Sequence, residues 1–401
     1  MSLNLRVVLL GIAQIVSWGT LFYAIGVLGE PMRDALGASE VTLFGGFSAG
    51  MVLSGVIAPR VGREIDARGG RGVLAAGSVL AAVAMAVLAL APNPVVLVIG
   101  WLLAGIASTA ALYDAGFATL HQFAGTGFRR AITVLTLLGG FASTVFWPLS
   151  RYLLETLGWR EAFAVYALLH LAVCLPIHLA AIPRGAAPAA TPPVPAAPVA
   201  DARGGASMPP AMAWLALAMS ITSFIAAGVS AHLMTILGDS GLGARDAVLI
   251  GSLIGPMQVA GRIVEYGAAR DVAATTTGTF AFALMAVALA ILTQVGGVWI
   301  VALAFVVTYG WANGVFTIVR GTVPRAIFGA RGYGSLLGRL ARPQFFARAI
   351  APVTLSMVQG ADASRRVAPY LVAALGIAAL VAYRRALALA PRVTPPHAGG
   401  E

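Results

Sequence analysis

Residues 72–91 read GVLAAGSVLAAVAMAVLALA, twenty consecutive residues without a charged side chain. A helix rises about 1.5 Å per residue, so about 20 residues cross the roughly 30 Å hydrocarbon core of a bilayer. Lipid offers no water to the backbone polar groups, so a segment of this kind crosses as a helix. The stretch therefore predicts one transmembrane helix.

The same pattern extends over most of the 401 residues. The chain is 59% hydrophobic and 10% charged, whereas soluble domains carry about 25% charged residues. Its mean hydropathy is +0.89. The first apolar run is too long for a signal-peptide core, so it predicts the first crossing. Runs of suitable length predict twelve crossings: 6–28, 41–61, 72–91, 94–119, 131–154, 161–182, 211–237, 246–266, 274–295, 298–319, 335–359 and 367–388.

A stretch rich in Pro and Ala, residues 183–210, separates the first six segments from the last six. Proline removes backbone donors, so this stretch is expected to be a semi-extended linker. The sequence thus predicts an N-terminal six-helix bundle at 1–182, a cytoplasmic linker at 183–210, and a C-terminal six-helix bundle with a short cytoplasmic tail at 211–401.

All 26 basic residues are arginines, and the net charge is +11. Under the predicted topology most of them, Arg320 included, fall on the side that carries both termini. Cytoplasmic loops are enriched in basic residues, so both termini are predicted to be cytoplasmic in a multi-pass protein of a bacterial-type cytoplasmic (inner) membrane. The arginines are dispersed between apolar runs and form no single patch, which argues against nucleic-acid binding.

An internal repeat supports the division into halves. Residues 62–71 read GREIDARGGR and residues 261–270 read GRIVEYGAAR, so Gly, Arg, an acid and Arg recur at the same spacing. Parallel repeats of six helices are typical of transporters whose halves rock about a central site. The predicted fold class is an all-α membrane protein with twelve transmembrane helices in two pseudo-symmetric six-helix bundles.

The first copy of the repeat resembles the signature loop of the major facilitator superfamily. It matches at Gly62, Asp66, Gly69 and Arg71, and it departs at positions 67 and 70. The resemblance implies the major facilitator fold and secondary transport by alternating access. Charge-assisted hydrogen bonds at such loops could latch the halves together and break as they rock. The residues expected to form this conformational latch are Gly62, Asp66, Arg71, Glu265 and Arg270.

Segments four to six resemble the monocarboxylate and oxalate/formate porters of that superfamily. The likeness rests on Tyr113-Asp114, Phe128-Arg129-Arg130-Ala131, Gly139-Gly140, Trp147-Pro148 and Gly158-Trp159-Arg160. It implies that the substrate is a small organic anion such as a monocarboxylate.

Two arginines at membrane depth are candidate anion contacts, because a buried charge in a membrane is costly and usually faces an aqueous pathway. Arg348 lies near the centre of segment eleven, where its guanidinium could clamp a carboxylate through two hydrogen bonds. The alternative is an arginine paired with an acid for packing alone. Arg262 in segment eight is a candidate either for substrate contact or for the latch.

Two further ionisable residues lie within predicted spans. Asp114 is a candidate proton-coupling site, and a structural partner for Arg129 or Arg130 is an equal alternative. His232 could act as a gate or contact the substrate, although a histidine satisfied within a helix interface is the alternative.

Helices one, four, seven and ten line the central cavity in the superfamily, so polar and aromatic residues on them are further substrate-contact candidates. Gln14, Trp18 and Phe22 share one face of segment one, while Tyr309 and Asn313 cluster in segment ten. Packing of aromatic stripes is the alternative interpretation for these residues.

Other classes of protein fit less well. No phosphate-binding Gly-Lys-Ser/Thr loop, zinc-binding His-Glu-x-x-His or nucleophile elbow occurs, so no enzyme, metal or cofactor is predicted. The expected partners are a small-molecule substrate, the lipid bilayer and a possible coupling proton, with the carrier acting as a monomer. The alternative function is proton-coupled export of a neutral or cationic metabolite or drug.

Overall fold

The computed structural model describes residues 1–184, 208–268, 272–361 and 367–390. These residues form twelve long helices, which confirms the predicted all-α membrane protein. Eleven of them are long and apolar enough to cross a membrane; the eleventh in chain order is long enough but less apolar. The helices are α1 (Leu3–Leu36), α2 (Glu40–Arg68), α3 (Gly70–Ala89), α4 (Pro94–Phe123), α5 (Gly125–Thr156), α6 (Trp159–Ala181), α7 (Pro210–Asp239), α8 (Arg245–Gly267), α9 (Ala274–Leu292), α10 (Trp299–Phe328), α11 (Tyr333–Ala361) and α12 (Val367–Ala388).

Several helices extend beyond the predicted segments. The segment predicted at 298–319 continues to Phe328, and the first helix continues to Leu36. Hydropathy marks the part of a helix that suits hydrocarbon, whereas the helix itself continues wherever its side chains find partners. The expectation that Arg320 lies in a loop was therefore wrong: this residue is inside α10 and only 6% exposed.

The helices alternate in direction, so α1 begins and α12 ends at the same end of the bundle, here called the terminal side. There Arg6 of α1 donates to the carbonyl of Ala181 in α6 at 2.9 Å. Tyr383 of α12 donates to the carbonyl of Thr275 in α9, also at 2.9 Å. Most of the predicted linker at 183–210 lies outside the described residues, so its conformation stays a prediction.

The apolar core shows where the first six helices, here the N-half, meet the last six, the C-half. One cluster of buried residues contains both Leu10 and Leu120 of the N-half and Ile318 and Leu337 of the C-half, all toward the terminal side. Toward the opposite side, one cluster is drawn from the N-half alone and another from the C-half alone. The halves thus share a core at the terminal side and have separate cores away from it.

Two close helix contacts shape the centre of the molecule. A Cβ atom at Gly50 of α2 would lie 2.5 Å from the carbonyl oxygen of Trp101 in α4, and one at Gly62 would overlap the carbonyl of Gly334 in α11. Small residues let helix backbones approach where a larger side chain would hold them apart. As a result α2 packs closely against α4 in its own half and against α11 in the other half.

A break in α4 positions a polar residue of α1. The backbone of Leu112 is extended, which interrupts the helix between Ala111 and Tyr113. The Gln14 side chain donates to the carbonyl of Ala111 at 2.7 Å. A buried carbonyl without a partner is unfavourable, so Gln14 stabilises the break immediately before Asp114.

Candidate functional site

A narrow cavity lies between the halves; the space between its lining atoms, open solvent included, is about 400 Å³. It is lined by residues of α1, α2 and α4 from the N-half and of α11 from the C-half. Five aromatic side chains, Trp18, Phe22, Phe47, Trp101 and Phe345, form much of its wall. A cavity bounded by both halves changes shape when the halves move, as alternating access requires.

Arg348 is the one charged residue in the lining of this cavity among the described residues. It lies near the middle of α11 and is partly buried. Its guanidinium is 5.9 Å from the ring centroid of Phe345, and it makes no hydrogen bond or ion pair with any described residue. The alternative prediction was that Arg348 pairs with an acid for packing alone. No acidic residue in the described part of the chain forms such a pair with it.

The remaining polar groups of the lining fall into two sets. The hydroxyl of Ser54 lies 2.8 Å from the carbonyl of Gly50 and 2.6 Å from that of Gly105, and Ser108 donates to Ala104 at 2.8 Å. In contrast, the buried indole N–H groups of Trp18 and Trp101 have no acceptor among the described residues. The guanidinium of Arg348 is thus the donor of the lining that is partly exposed and makes no hydrogen bond with the described residues.

A second, smaller cavity lies nearer the terminal side; the space between its lining atoms, open solvent included, is about 270 Å³. Asp114 lines it, and Phe345 lines both this cavity and the larger one. The Asp114 carboxylate forms an ion pair with Arg320 of α10, so the pair joins the N-half to the C-half. The side chains are 17% and 7% exposed, respectively. The partner of Asp114 is therefore Arg320, and the alternative pairing with Arg129 or Arg130 was wrong.

Arg129 instead pairs with Glu265 of α8, across the same boundary. One guanidinium nitrogen lies 2.6 Å from Glu265 Oε1, and the Glu265 side chain is 3% exposed. Arg129 also donates to the hydroxyl of Thr277 at 3.1 Å, and Thr133 donates to Glu265 Oε2 at 3.4 Å. This second ion pair joins α5 to α8, and the hydrogen bond to Thr277 joins α5 to α9.

The predicted latch residue Asp66 contacts the beginning of α11. Its carboxylate accepts from the backbone N–H of Gly334 at 2.8 Å and from the N–H and hydroxyl of Ser335, both at 2.6 Å. The first N–H groups of a helix lack partners within it, and the helix dipole favours a negative charge there. Asp66 therefore caps α11 from the opposite half, and Gly62 makes the close backbone contact one turn earlier.

The other predicted latch residues have different surroundings. Arg71 donates to the carbonyl of Leu179 at 2.9 Å, which is a contact within the N-half. Arg270 lies outside the described residues, so its role stays a prediction.

Arg262 joins the halves and does not line the larger cavity. It is 4% exposed and donates to the carbonyl of Thr136 at 2.9 Å in the N-half. Within the C-half it donates to the carbonyl of Gly314 at 3.4 Å and to the hydroxyl of Thr317 at 3.3 Å. Arg262 was predicted either to contact the substrate or to belong to the latch. Its hydrogen bonds are those of a contact between the halves.

Comparisons with known proteins agree with this architecture. The family model of the Major Facilitator Superfamily matches residues 10–270, which is more than half of the chain. The chain belongs to the major facilitator superfamily. It is accordingly a secondary transporter and not an enzyme, as the sequence predicts. The narrower likeness to monocarboxylate and oxalate/formate porters stays a prediction.

Solved structures share the fold over nearly the whole chain. The human organic anion transporter MFSD10 (TETRAN) has a TM-score of 0.71 at 18% identity, covering 94% of this chain and 98% of its own. A variant of the E. coli fucose:proton symporter FucP has a TM-score of 0.72 at 13% identity, with 96% and 99% covered. FucP in its outward conformation also has a TM-score of 0.72, at 12% identity and the same coverage.

One curated relative matches over a shorter region. An uncharacterized 38 kDa protein in the 23S RNA operon of Thermoproteus tenax is 31% identical over 165 residues. The match spans 41% of this chain and 43% of that protein, so the chain covers less than half of its relative.

The major facilitator resemblance predicts cavity contacts on α1, α4, α7 and α10, and only the first two line the described cavity. Trp18 and Phe22 lie in the wall, whereas Gln14 lies behind it. Three further candidates on the C-half lie elsewhere. His232 contacts the carbonyl of Pro352 at 2.9 Å, Tyr309 is buried in the core of the C-half, and the backbone carbonyl of Asn313 accepts from Thr317.

Sequence reasoning about this major facilitator chain missed part of the site. Phe47, Met51, Ser54 and Phe345 line the cavity although the sequence did not single them out. They are apolar or small residues in apolar helices, so their type carries no signal that separates a cavity wall from a lipid-facing surface. Arg320 had a signal, namely an arginine directly after an apolar run, but it was assigned to a loop.

Proposed function

We propose that this transporter carries a small organic anion, most simply a monocarboxylate, by alternating access. The observation that supports the substrate class is Arg348, a cation in the wall of the central cavity with no acidic partner in the described chain.

An uncompensated charge on Arg348 raises the free energy of the empty transporter. A guanidinium at membrane depth is unfavourable unless an opposite charge or water compensates it. A carboxylate matches the guanidinium fork and can accept two parallel hydrogen bonds. An anion therefore gains more from Arg348 than a neutral or cationic solute does.

The conformation supports the alternating-access part of the proposal. The contacts of Asp66, Arg129 and Arg320 join the halves toward the terminal side. If the arginine distribution sets the terminal side in the cytoplasm, this is an outward-facing state with its cytoplasmic side closed. Transport then requires these contacts to break, which gives Gly62, Asp66 and Glu265 the role of a latch.

The proposal includes the setting of the protein. We place it as a multi-pass monomer in a bacterial-type inner membrane, with both termini in the cytoplasm. MFSD10 is described as an organic anion transporter, which is consistent with the substrate class.

A coupling proton is a further part of the proposal, with Asp114 as its site. The carboxylate lines the smaller cavity and pairs with Arg320 across the halves, so protonation would weaken a contact that must break during transport. FucP is described as a proton symporter. The alternative function, export of a cationic solute, finds less support because the charge in the wall of the larger cavity is positive.

The test is counterflow in proteoliposomes preloaded with unlabelled monocarboxylates. We expect saturable uptake of labelled monocarboxylate by the wild type and at least a tenfold loss in Arg348→Gln, since a charge-assisted hydrogen bond contributes about 1.5 to 3 kcal/mol. Arg151→Gln is the control, because Arg151 is 67% exposed and pairs with Glu155 on the surface. Unchanged uptake in Arg348→Gln would contradict the proposed substrate class.

A further inference from the structure

The larger cavity also restricts what kind of anion can bind. We propose that it selects aromatic monocarboxylates: a planar ring held among the wall aromatics, with one carboxylate on Arg348. This inference rests on the proposed function and narrows its substrate class.

The aromatic rings of the cavity wall lie close to one another. Trp18, Phe22, Phe47 and Trp101 follow one another around the wall, with successive ring centroids 5.5, 5.9 and 5.3 Å apart. Phe345 contributes a further ring from the C-half. Aromatic rings prefer edge-to-face or offset contacts at such distances, and these contacts add to the gain from apolar burial. A planar ring placed among them makes contacts that a saturated ring of similar size cannot make.

The positive charge in the cavity wall limits the charge of the ligand. Arg348 is the one charged side chain in the wall among the described residues. One carboxylate neutralises it, whereas a second carboxylate would be desolvated without a counter-charge. The cavity therefore favours a monoanion over a dianion such as phthalate or oxalate.

The wall of the larger cavity offers few free hydrogen-bonding groups to a ligand. The hydroxyls of Ser54 and Ser108 already lie within hydrogen-bonding distance of helix carbonyls. A polyol would leave several of its own hydroxyls unpaired in the cavity, and each would be unfavourable. A sugar is thus a poor fit despite the shared fold with FucP. The buried indole N–H of Trp101 has no acceptor among the described residues, so it adds no further polar partner for a polyol at the exposed surface of the wall.

The test measures binding of a matched pair of ligands, benzoate and cyclohexanecarboxylate, to the purified full-length protein by calorimetry. Both carry one carboxylate on a six-membered ring, and only benzoate is aromatic. We expect benzoate to bind about three- to tenfold more tightly, since aromatic pairs contribute roughly 0.5 to 1.5 kcal/mol beyond burial. Phthalate should bind more weakly than benzoate.

A matched pair of variants tests whether the aromatic rings of the cavity wall cause the preference for an aromatic ligand. Phe47→Leu removes a wall ring while keeping an apolar side chain of similar size, and Phe44→Leu makes the same change on the same helix at a side chain that is 51% exposed. The aromatic preference should fall in Phe47→Leu and persist in Phe44→Leu.

The outcomes separate this inference from the function on which it rests. Equal affinity of the wild type for the two ring acids, or tighter binding of phthalate than of benzoate, would overturn the aromatic monoanion assignment and leave the anion proposal standing. Binding of neutral benzamide as tight as that of benzoate would overturn the anion proposal itself. Since the ligand comparison uses the wild type, a variant that fails to fold does not prevent the test.

Discussion

Asp114 of α4 and Arg320 of α10 form an ion pair across the boundary between the two halves. The pair lies beside the smaller cavity, on the terminal side of the aromatic wall. Together with Arg129–Glu265 it provides two charge-compensated contacts that hold the halves together at that side. A conformational cycle has to break both contacts and form others of similar free energy.

Breaking the Asp114–Arg320 pair at one residue should destabilise the protein strongly. We expect Asp114→Asn or Arg320→Gln alone to lower the free energy of unfolding by about 3 kcal/mol, because each leaves a largely buried charge without its partner. The double variant should lose less than either single variant. Thermal unfolding in detergent measures this, with Arg151→Gln as a surface control worth under about 1 kcal/mol. If the losses of unfolding free energy in the two single variants simply added in the double variant, this would contradict an energetic coupling between Asp114 and Arg320.

Removing the cap on α11 should open the terminal side. In Asp66→Ala the N–H groups of Gly334 and Ser335 lose their acceptor, so the closed state loses a charge-assisted contact. A thiol introduced by Ala118→Cys in the smaller cavity should then be alkylated by a maleimide about tenfold faster. The natural Cys174 is buried and gives a low background.

The control for that experiment is Glu64→Ala on the same helix. Glu64 pairs with Arg68 on the exposed surface of the N-half, so its removal should not change the alkylation rate. Equal acceleration in both variants would argue against a specific role for Asp66.

The close contact between α2 and α4 predicts opposite effects of one substitution at two glycines. Gly50→Ala would place a methyl group 2.5 Å from the carbonyl oxygen of Trp101, so we expect a loss of about 1 to 3 kcal/mol from overpacking. At Gly45 nothing lies within 4 Å of the new methyl group, and Gly45→Ala should be neutral or stabilise by up to about 1 kcal/mol. Comparing the two melting temperatures tests this; equal shifts would contradict the packing.

The sequence predicted the number of helices because lipid makes each apolar run of suitable length a crossing. It could not predict the wall of the cavity. Phe44 and Phe47 are the same residue type three positions apart on α2, yet Phe44 is exposed and Phe47 lines the cavity. Only the packing of α2 against α4 and α11 separates them.

The same limit applies to charged residues. The predicted division into crossings placed Arg348 near the centre of segment eleven, but it placed Arg320 in a loop because the apolar run of segment ten ends just before it. The partner of Arg320 is 206 positions away, so no local pattern could reveal the ion pair. Asp66 was found through its motif, although the contact it makes, a cap on α11, was not foreseen in that form.

Arg262 provides a contrast with Arg348. Its hydrogen bond to Thr136 ties the halves together outside the cavity wall, and its bond to Thr317 anchors it within the C-half, so Arg262→Gln should change the rate of transport more than the affinity. We expect the Kd for a monocarboxylate to stay within about threefold of the wild type while counterflow rates shift further. A loss of affinity as large as that of Arg348→Gln would place Arg262 in the binding site after all.

In the proposed transport cycle Arg348 receives the negative charge of the substrate in the cavity between the halves. A thermodynamic cycle tests it most directly: calorimetric binding of benzoate and of its neutral isostere benzamide to the wild type and to Arg348→Gln. We expect the acid to bind at least tenfold more tightly than the amide to the wild type, and this difference to vanish in the variant. A difference that survives in Arg348→Gln would contradict the claim.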